Sequence, residues 1–427
     1  MRVVVFDGTP NQRSKIVQKV RNGKIDLLLA TYDRVGHDYG KEREYNGYGH
    51  PLLTLFDASY HRIIADEAHE IRNPLSKKSK GTIEIAKKAL YRLAMTGTPL
   101  VNSPMDVYPL LAFVGLNPLD EKRTFNELIA NPIQNKKKIG LNKLRMSLGY
   151  VAMRRTKAVV DGLVMADKTM QLVKISFPDG QHKEVYEHWF NKTKQAFLES
   201  ETCPSKEIAQ QKFAYQIKLR LSCASGSLAF PEEMDASNFA KAPKIFAMLQ
   251  VIDNMEVDEK AVVFSQWNAF LDIAAAALKA EGHNIARIDG SMSIEARAKA
   301  MKQLNEDPSV RIILCSLKAG GVGINLTRAS VVLMMDPWWN DATEMQACDR
   351  VHRVGQTRPV KIYRFVMKDS IEEKMITNIQ QAKSKLGKGA MAHLTAEELK
   401  LAKIATLKEL FGVGGNGDED DEGPEWM

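Results

Sequence analysis

The stretch Gln346-Ala347-Cys348-Asp349-Arg350-Val351-His352-Arg353-Val354-Gly355-Gln356 places two arginines three residues apart, with a glutamine at each end. That spacing predicts that Arg350 and Arg353 lie on one face of a helix. Guanidinium groups fixed in this way suit the negative charge of a phosphoryl group during its transfer. An ordinary solvated basic helix end is the alternative, and the choice depends on what else the chain contains.

A second signal lies upstream, in Arg62-Ile63-Ile64-Ala65-Asp66-Glu67-Ala68-His69. The short apolar run predicts a buried strand, and two acids follow at its carboxyl end, where open α/β sheets bind their ligands. Asp66 is predicted to hold Mg²⁺, and Glu67 to orient or activate a water molecule. Alternatively, the two acids cap the next helix.

Further motif-like strings occur at intervals along the chain. They are Ala30-Thr31-Tyr32-Asp33, Met95-Thr96-Gly97-Thr98-Pro99-Leu100, Val262-Val263-Phe264-Ser265-Gln266-Trp267, Ser316-Leu317-Lys318-Ala319-Gly320-Gly321-Val322-Gly323-Ile324-Asn325-Leu326 and Asp336-Pro337-Trp338-Trp339-Asn340. With the acidic and arginine segments in their order, the chain resembles the Swi/Snf-type DNA-dependent ATPases, a branch of the superfamily two helicase-like motors. The resemblance runs from Val3 to about Leu410 and is strongest to the helicase-like transcription factor and DNA-repair translocase group.

The resemblance implies an α/β fold of two RecA-like parallel-sheet lobes joined by helical protrusions. The expected divisions are a first lobe over residues 1–152, protrusions and connector over 153–240, a second lobe over 241–395, and a helix with an acidic tail over 396–427. Short apolar runs typical of parallel-sheet cores support this reading at Leu110-Leu111-Ala112-Phe113 and at Ile312-Ile313-Leu314. Helical patterns cover Lys183 to Leu198, Glu207 to Leu221 and Phe270 to Ala280, and Ser293 is a predicted helix N-cap.

Residue roles also follow from the resemblance, with ATP and Mg²⁺ as cofactors. The implied catalytic residues are Glu67, Arg350 and Arg353. The implied nucleotide contacts are Asp66, which also holds the metal, His69, Gly321, Gly323, Gln346 and Gln356. The implied DNA contacts are Thr31, Thr96, Ser316, Lys318 and Trp338. Paired tryptophans such as Trp338-Trp339 are also typical of a protein core.

A phosphate-cradling loop of the form GxxxxGK[ST], which a motor of this kind needs, does not occur in the sequence. The nearest string, Gly162 to Thr169, has Asp167 in place of the second glycine. We therefore expect a first lobe that is incomplete at its amino end. Taken by itself, the chain is expected to hydrolyse ATP poorly or not at all.

Composition agrees with a nucleic-acid partner. The net charge is +8 although the tail from Asp418 carries six acids and no base, so the remainder carries +14. Such an excess favours a polyanionic partner over the alternative of ordinary solubility charge. The resemblance implies that this partner is double-stranded DNA, nucleosomal DNA included. The sequence contains no apolar run of transmembrane length, so no membrane partner is expected. Its four cysteines include no CxxC pair, so no zinc module is expected. Nuclear localisation is implied by the resemblance alone.

Three functions remain open from the sequence. The first is an ATP-dependent translocase on double-stranded DNA, of chromatin-remodelling or DNA-repair type, whose sequence here lacks its beginning. The second is a non-catalytic DNA-binding scaffold that keeps the fold. The third, an RNA helicase, is disfavoured because the Trp-Trp string resembles the DNA motors.

Overall fold

The computed structural model describes residues 1–40, 44–97, 103–135, 137–155, 165–178, 180–203, 205–231, 242–317, 324–338 and 341–377. These residues form two compact units, one up to Arg155 and one from Met165 onward. Parts of three motif strings lie outside them, including the predicted site residues Lys318, Gly321 and Gly323.

The first unit alternates parallel strands with helices. Its strands pair as β1 with β2 and β3 with β4, both in parallel. The elements are β1 (Val3–Val5), α1 (Pro10–Arg21), β2 (Leu27–Leu29), α2 (Tyr32–Asp38), β3 (Tyr60–Ala65), α3 (Lys77–Ala86) and β4 (Ala89–Ala94). Thr9 closes a capping box with Gln12 at the start of α1, and Pro10 occupies the first turn, where its missing N–H costs nothing.

A run of helices completes the first unit: α4 (Tyr108–Val114), α5 (Lys122–Phe125), α6 (Asn131–Gln134) and α7 (Lys138–Val151). The apolar run Leu110 to Phe113, predicted to fill a sheet core, lies in α4, so that prediction is wrong. Gly115 ends α4 in the left-handed conformation, with φ of 77°, and its N–H bonds Leu111 O. The run is buried, but on a helix.

The second unit is built on a six-stranded sheet with the strand order β5-β10-β9-β6-β8-β7, and every pairing is parallel. The strands are β5 (Lys168–Ile175), β6 (Ala261–Ser265), β7 (Asn284–Ile288), β8 (Val310–Ser316), β9 (Val331–Met334) and β10 (Val360–Met367). The helices are α8 (Gln181–Thr202), α9 (Lys206–Ala224), α10 (Pro243–Asp253), α11 (Asn268–Ala280), α12 (Ile294–Glu306) and α13 (Asp341–Cys348). Residues 371–377 are also helical.

Most of the expected elements of the second unit are confirmed. The run Ile312 to Leu314 lies in β8 and is fully buried, and Ser293 caps α12 by accepting the N–H of Ala296 at 3.2 Å. The predicted helices coincide with α8, α9 and α11. The α/β class and the parallel sheet are confirmed as well. The proposed domain boundaries at residues 153 and 241 stay a prediction. β5 lies between these boundaries and pairs with β10, so this strand is part of the sheet of the second unit.

Candidate functional site

The acidic segment follows β3 directly, as predicted. The prediction that this strand is buried is wrong, because Ala65 is the only one of its six residues that is buried. Asp66 is exposed, and its Oδ1 accepts the backbone N–H of Glu67 at 3.0 Å. Glu67 adopts φ 47° and ψ 48°, the left-handed conformation that non-glycine residues rarely occupy. This strained turn holds the Glu67 carboxylate at the carboxyl end of the strand, and strain of this kind is concentrated at functional sites.

The structure brings three predicted site residues of the first unit together. His69 Nδ1 lies 3.5 Å from Glu67 Oε2 and 3.4 Å from Thr96 Oγ1. Backbone bonds from Met95 N to Ala65 O and from Ala68 N to Met95 O, both 2.8 Å, fix the segment after β4 beside the acidic segment. The imidazole thus joins the acidic turn to the segment after β4.

Tyr32 is a member of this group that the sequence reasoning missed. Its hydroxyl donates to the backbone carbonyl of Asp66 at 2.7 Å. Burial, followed by the nearby charges of Asp66, Glu70 and Glu67, raises the pKa of Tyr32, so the phenol stays protonated as a donor. The sequence feature that pointed to Tyr32 is its position directly after Thr31, within the string Ala30-Thr31-Tyr32-Asp33.

Thr31 itself has a structural task. Its hydroxyl caps α2 by accepting the N–H of Arg34 at 3.2 Å, while the residue stays exposed. An N-cap hydroxyl can still accept from or donate to a second group, because it carries one proton and two lone pairs. The predicted DNA contact at Thr31 therefore stays a prediction.

In the second unit, the loop after β9 is tied to the end of β6. Asp336 Oδ2 accepts the Ser265 hydroxyl at 2.6 Å and the Gln266 N–H at 2.9 Å. Asp336 is buried, and so is Ser316 at the end of β8. Burial places the Ser316 side chain among protein groups, which gives no support to its predicted DNA contact.

Trp338 is half-buried and packs against the core around β8 and β9. The guanidinium carbon of Arg220, from α9, lies 5.7 Å from the centre of the Trp338 ring and 5.6 Å from that of Trp267. Arg220 also donates to Gln266 Oε1 at 3.0 Å and to Pro337 O at 3.1 Å. Burial lowers the Arg220 pKa, against the opposing charges of Asp336 and Glu372. Of the two readings of Trp338, these contacts favour core packing.

The arginine segment does not form the predicted helix. α13 ends at Cys348, and Arg350 and Arg353 lie in successive turns, with Arg350 N bonded to Ala347 O and Arg353 N to Val351 O, both at 3.1 Å. The shared helical face was therefore a wrong prediction. Tertiary bonds override the local pattern: Arg350 O accepts the N–H of Leu326 at 3.0 Å. Arg350 is half-buried and Arg353 is exposed.

The two glutamines of this segment differ. Gln356 is buried, and its amide donates to Ala329 O at 2.7 Å and to Val351 O at 3.2 Å, while its carbonyl oxygen accepts Arg358 N at 3.0 Å. These bonds occupy the side chain, so the structure gives Gln356 the role of fixing the turns. Gln346, on α13, is half-buried, and its nucleotide contact stays a prediction.

The oxygen chemistry of the acidic turn fits Mg²⁺. That ion is commonly bound by one or two carboxylates together with waters and substrate phosphates. Asp66 offers an exposed carboxylate beside Glu67. Within the described ranges, His, Cys, Asp and Glu side chains form no group of three that could hold a metal by themselves. Nor does any helix in that part of the chain have the length and apolar character needed to cross a membrane.

Comparison with known sequences gives consistent matches. The profile of the SNF2-related domain matches residues 1–228, and that of the helicase conserved C-terminal domain matches residues 243–355. The DNA repair protein RAD5A of Arabidopsis thaliana is 26% identical over 90% of this chain and 48% of its own length. The helicase-like transcription factor of Mus musculus is 28% identical over 91% of this chain and 49% of its own. The chain spans about half the length of these curated relatives.

Two solved structures are similar at a lower level. The Sulfolobus solfataricus SWI2/SNF2 ATPase core in complex with dsDNA aligns with a TM-score of 0.46 and 24% identity, over 96% of this chain and 81% of its own. The C-terminal part of the Fun30 ATPase domain aligns with a TM-score of 0.44 and 23% identity, over 58% of this chain and 99% of its own. The α/β fold of this chain is assigned from its own parallel strand pairings.

Proposed function

Because the chain belongs to the SNF2-related family, we propose that it carries the helicase-like ATPase machinery of a translocase on double-stranded DNA, of chromatin-remodelling or DNA-repair type. The observation that carries the proposal is the cluster of Glu67, His69 and Thr96 at the carboxyl ends of β3 and β4. A carboxylate in a strained turn, oriented by an imidazole, is an arrangement suited to positioning a water molecule.

Each residue of the acidic turn has a distinct proposed task. Asp66 would hold Mg²⁺, which supplies charge neutralisation at the phosphates of ATP when bound. The Glu67 carboxylate orients the attacking water and accepts its proton. His69 holds the Glu67 carboxylate and, through the Thr96 hydroxyl, couples its position to the segment after β4. Tyr32 stabilises the turn by the hydrogen bond from its hydroxyl to the Asp66 carbonyl.

The second unit supplies the proposed cationic groups, and the first unit supplies the proposed DNA contacts. Arg350 and Arg353 stabilise the negative charge of the transferring phosphoryl group, a role for which guanidinium groups are suited. Arg353 is exposed and available for this role. For DNA, Thr31 and Thr96 in the first unit are the proposed contacts with the sugar-phosphate backbone. Such contacts carry little sequence information, so weak sequence preference is expected.

The test is ATP hydrolysis by the chain, with duplex DNA, with duplex RNA and without nucleic acid. We expect DNA-stimulated turnover that is slow, because the sequence contains no phosphate-cradling loop, and that Glu67→Gln abolishes, since this change keeps size and removes the base. Glu84→Gln, on the surface of α3, is the matched control and should leave turnover unchanged. Duplex DNA binding without any turnover, equal in both variants, would instead identify a non-catalytic scaffold. Stimulation by duplex RNA alone would overturn the proposal.

A further inference from the structure

His352 lies within the arginine segment, directly before Arg353, and its side chain points into the protein. The residue is buried, with 8% of its surface exposed, whereas Arg353 beside it is exposed. The imidazole Nε2 lies 2.8 Å from the backbone carbonyl oxygen of Ala166, which is 186 residues away in sequence. A carbonyl oxygen only accepts hydrogen bonds, so Nε2 carries a proton and donates it. The imidazole therefore joins two distant stretches of the second unit.

Ala166 is a fixed acceptor because the chain enters the sheet directly after it. The carbonyl of Asp167 accepts the N–H of Val360 at 2.7 Å. From Lys168 onward, β5 pairs with β10 over its whole length, at the edge of the six-stranded sheet. The hydrogen bond from His352 thus ties the arginine segment to the beginning of this edge strand.

Other hydrogen bonds fix the backbone on both sides of His352. Its own N–H bonds the carbonyl of Cys348, the last residue of α13, at 2.9 Å. The side-chain amide of Gln356 donates to Val351 O at 3.2 Å, and the backbone N–H of Gln356 donates to Arg353 O at 3.0 Å. Together these bonds hold the backbone that carries the exposed Arg353 side chain.

The placement of this backbone has a consequence for the chemistry of Arg353. Hydrogen-bond donors stabilise a developing charge most effectively when they are in place before the reaction begins. A displacement of about 1 Å can cost on the order of 100-fold in rate. Building on the phosphoryl-contacting role given to Arg353 in the proposed function, we propose that His352 is a positioning residue for this arginine. Its hydrogen bond to Ala166 holds the turn from which the guanidinium group reaches the phosphoryl group.

The experiment compares His352→Leu with His352→Gln in the full chain. Leucine removes the donor, whereas the amide nitrogen of glutamine lies as many bonds from Cα as Nε2 does and can donate to the same carbonyl. We expect His352→Leu to lower kcat for hydrolysis of radiolabelled ATP with duplex DNA by about 10- to 100-fold, with KM nearly unchanged. His352→Gln should recover most of this loss.

His283→Leu is the matched control for the kinetic measurement. His283 belongs to the same unit, and its side chain is 22% exposed and lies 3.9 Å from Asp253. Its replacement should leave both kcat and KM unchanged. An unchanged kcat in His352→Leu, or a loss that His352→Gln does not recover, would overturn the proposal.

Hydrogen exchange gives a second readout, which needs no turnover. In His352→Leu the peptide over residues 349–357 should exchange faster than in the unaltered chain, while β8 keeps its protection. His352→Gln should restore slow exchange of that peptide. Equal exchange in all three chains would overturn the proposal, and so would a general loss of protection that includes β8.

The two readouts separate this proposal from the proposed function. If the unaltered chain hydrolyses no ATP, the proposed function fails, and the exchange of residues 349–357 alone then decides whether His352 holds the turn. If the chain hydrolyses ATP but His352→Leu changes neither kcat nor exchange, the proposed function stands and the role of His352 is refuted.

Discussion

The strands of the two units have similar sequences but different surroundings. In the second unit all five residues of β6 are buried, and apolar clusters cover both faces of the sheet. In the first unit Val5, Leu29, Ile64 and Leu93 are 62%, 47%, 53% and 48% exposed, although each lies on a parallel strand. Parallel strands normally have both faces covered. An apolar strand pattern therefore reports the type of element and says little about how deeply it packs.

The largest contrast is expected for buried charge, which only a closed core makes costly. Lys244 in α10 is fully buried and lies 2.8 Å from the carboxylate of Glu372 and 2.6 Å from Met335 O. Burial raises the pKa of Glu372, against the opposing effect of Lys244. Lys244→Met should destabilise the second unit by about 3–5 kcal/mol, since Glu372 loses its partner. Urea unfolding followed by tryptophan fluorescence measures this change.

Lys302→Met is the matched control for that experiment. Lys302 lies 3.7 Å from Glu306 on the surface of α12, with both side chains about two-thirds exposed. It should cost about 1 kcal/mol or less. Equal effects of the two substitutions would contradict the assignment of a closed core around α10.

The next contrast uses one substitution in two strands. Leu314→Ala in β8, where the side chain is fully buried, should cost about 2–5 kcal/mol. Leu93→Ala in β4, which is 48% exposed, should cost about 0.5 kcal/mol. Hydrogen exchange, resolved by segment, gives the opening free energy of each unit separately. A large cost at Leu93 would show that the strands of the first unit are covered in solution.

A smaller effect is expected where the second unit encloses a cation. Arg220→Lys keeps the charge but loses the planar group that contacts the rings of Trp267 and Trp338, and it can replace only one of the hydrogen bonds to Gln266 and Pro337. We expect a loss of about 2 kcal/mol and a changed tryptophan emission spectrum. Arg123→Lys, on exposed α5, should change neither. An unchanged spectrum would remove Arg220 from its place between the rings.

The smallest expected effect lies in the first unit and depends on pH. Because the Tyr32 pKa is raised in the folded state, the contribution of the neutral phenol is complete below its ordinary value of about 10. It is lost as the pH rises from there through the folded-state pKa. Tyr32→Phe should lower the stability of the first unit by about 1 kcal/mol at pH 8 and flatten its alkaline decline. Hydrogen exchange corrected for pH tests this, and an unchanged slope would contradict it.

Local patterns predicted the helices well and the turns poorly. α11 and α12 follow apolar spacing and an N-cap, both of which are written in consecutive residues. The run Leu110 to Phe113 could not be assigned in this way, since a short buried apolar run suits strand and helix alike. Arg350 and Arg353 lie outside the expected helix because hydrogen bonds from Leu326 and Gln356 fix the turns that contain them. Leu326 is distant in sequence, and Gln356 follows the segment.

Part of the candidate site was predictable, because some of its residues lie within short strings of consecutive residues. Glu67 and His69 come from one string, and the position of Thr96 followed from the order of motifs, so their meeting could be anticipated. Arg220 could not, because it contacts Gln266 and Pro337 across 46 and 117 residues of sequence. Contacts of that range leave no local signature. The same holds for Gln356, whose polar side chain is occupied by backbone groups.

The left-handed backbone of Glu67 has a consequence for which substitutions this position can accept during evolution. Glycine occupies that conformation without strain, whereas another residue pays roughly 1–2 kcal/mol to hold it. A single-base change from a glutamate codon to a glycine codon would therefore relax the fold while deleting the candidate catalytic carboxylate. In a lineage released from selection for activity, folding stability would favour that change. The residue at position 67 is thus an indicator, readable from any sequence of the lineage, of whether the activity is still being maintained.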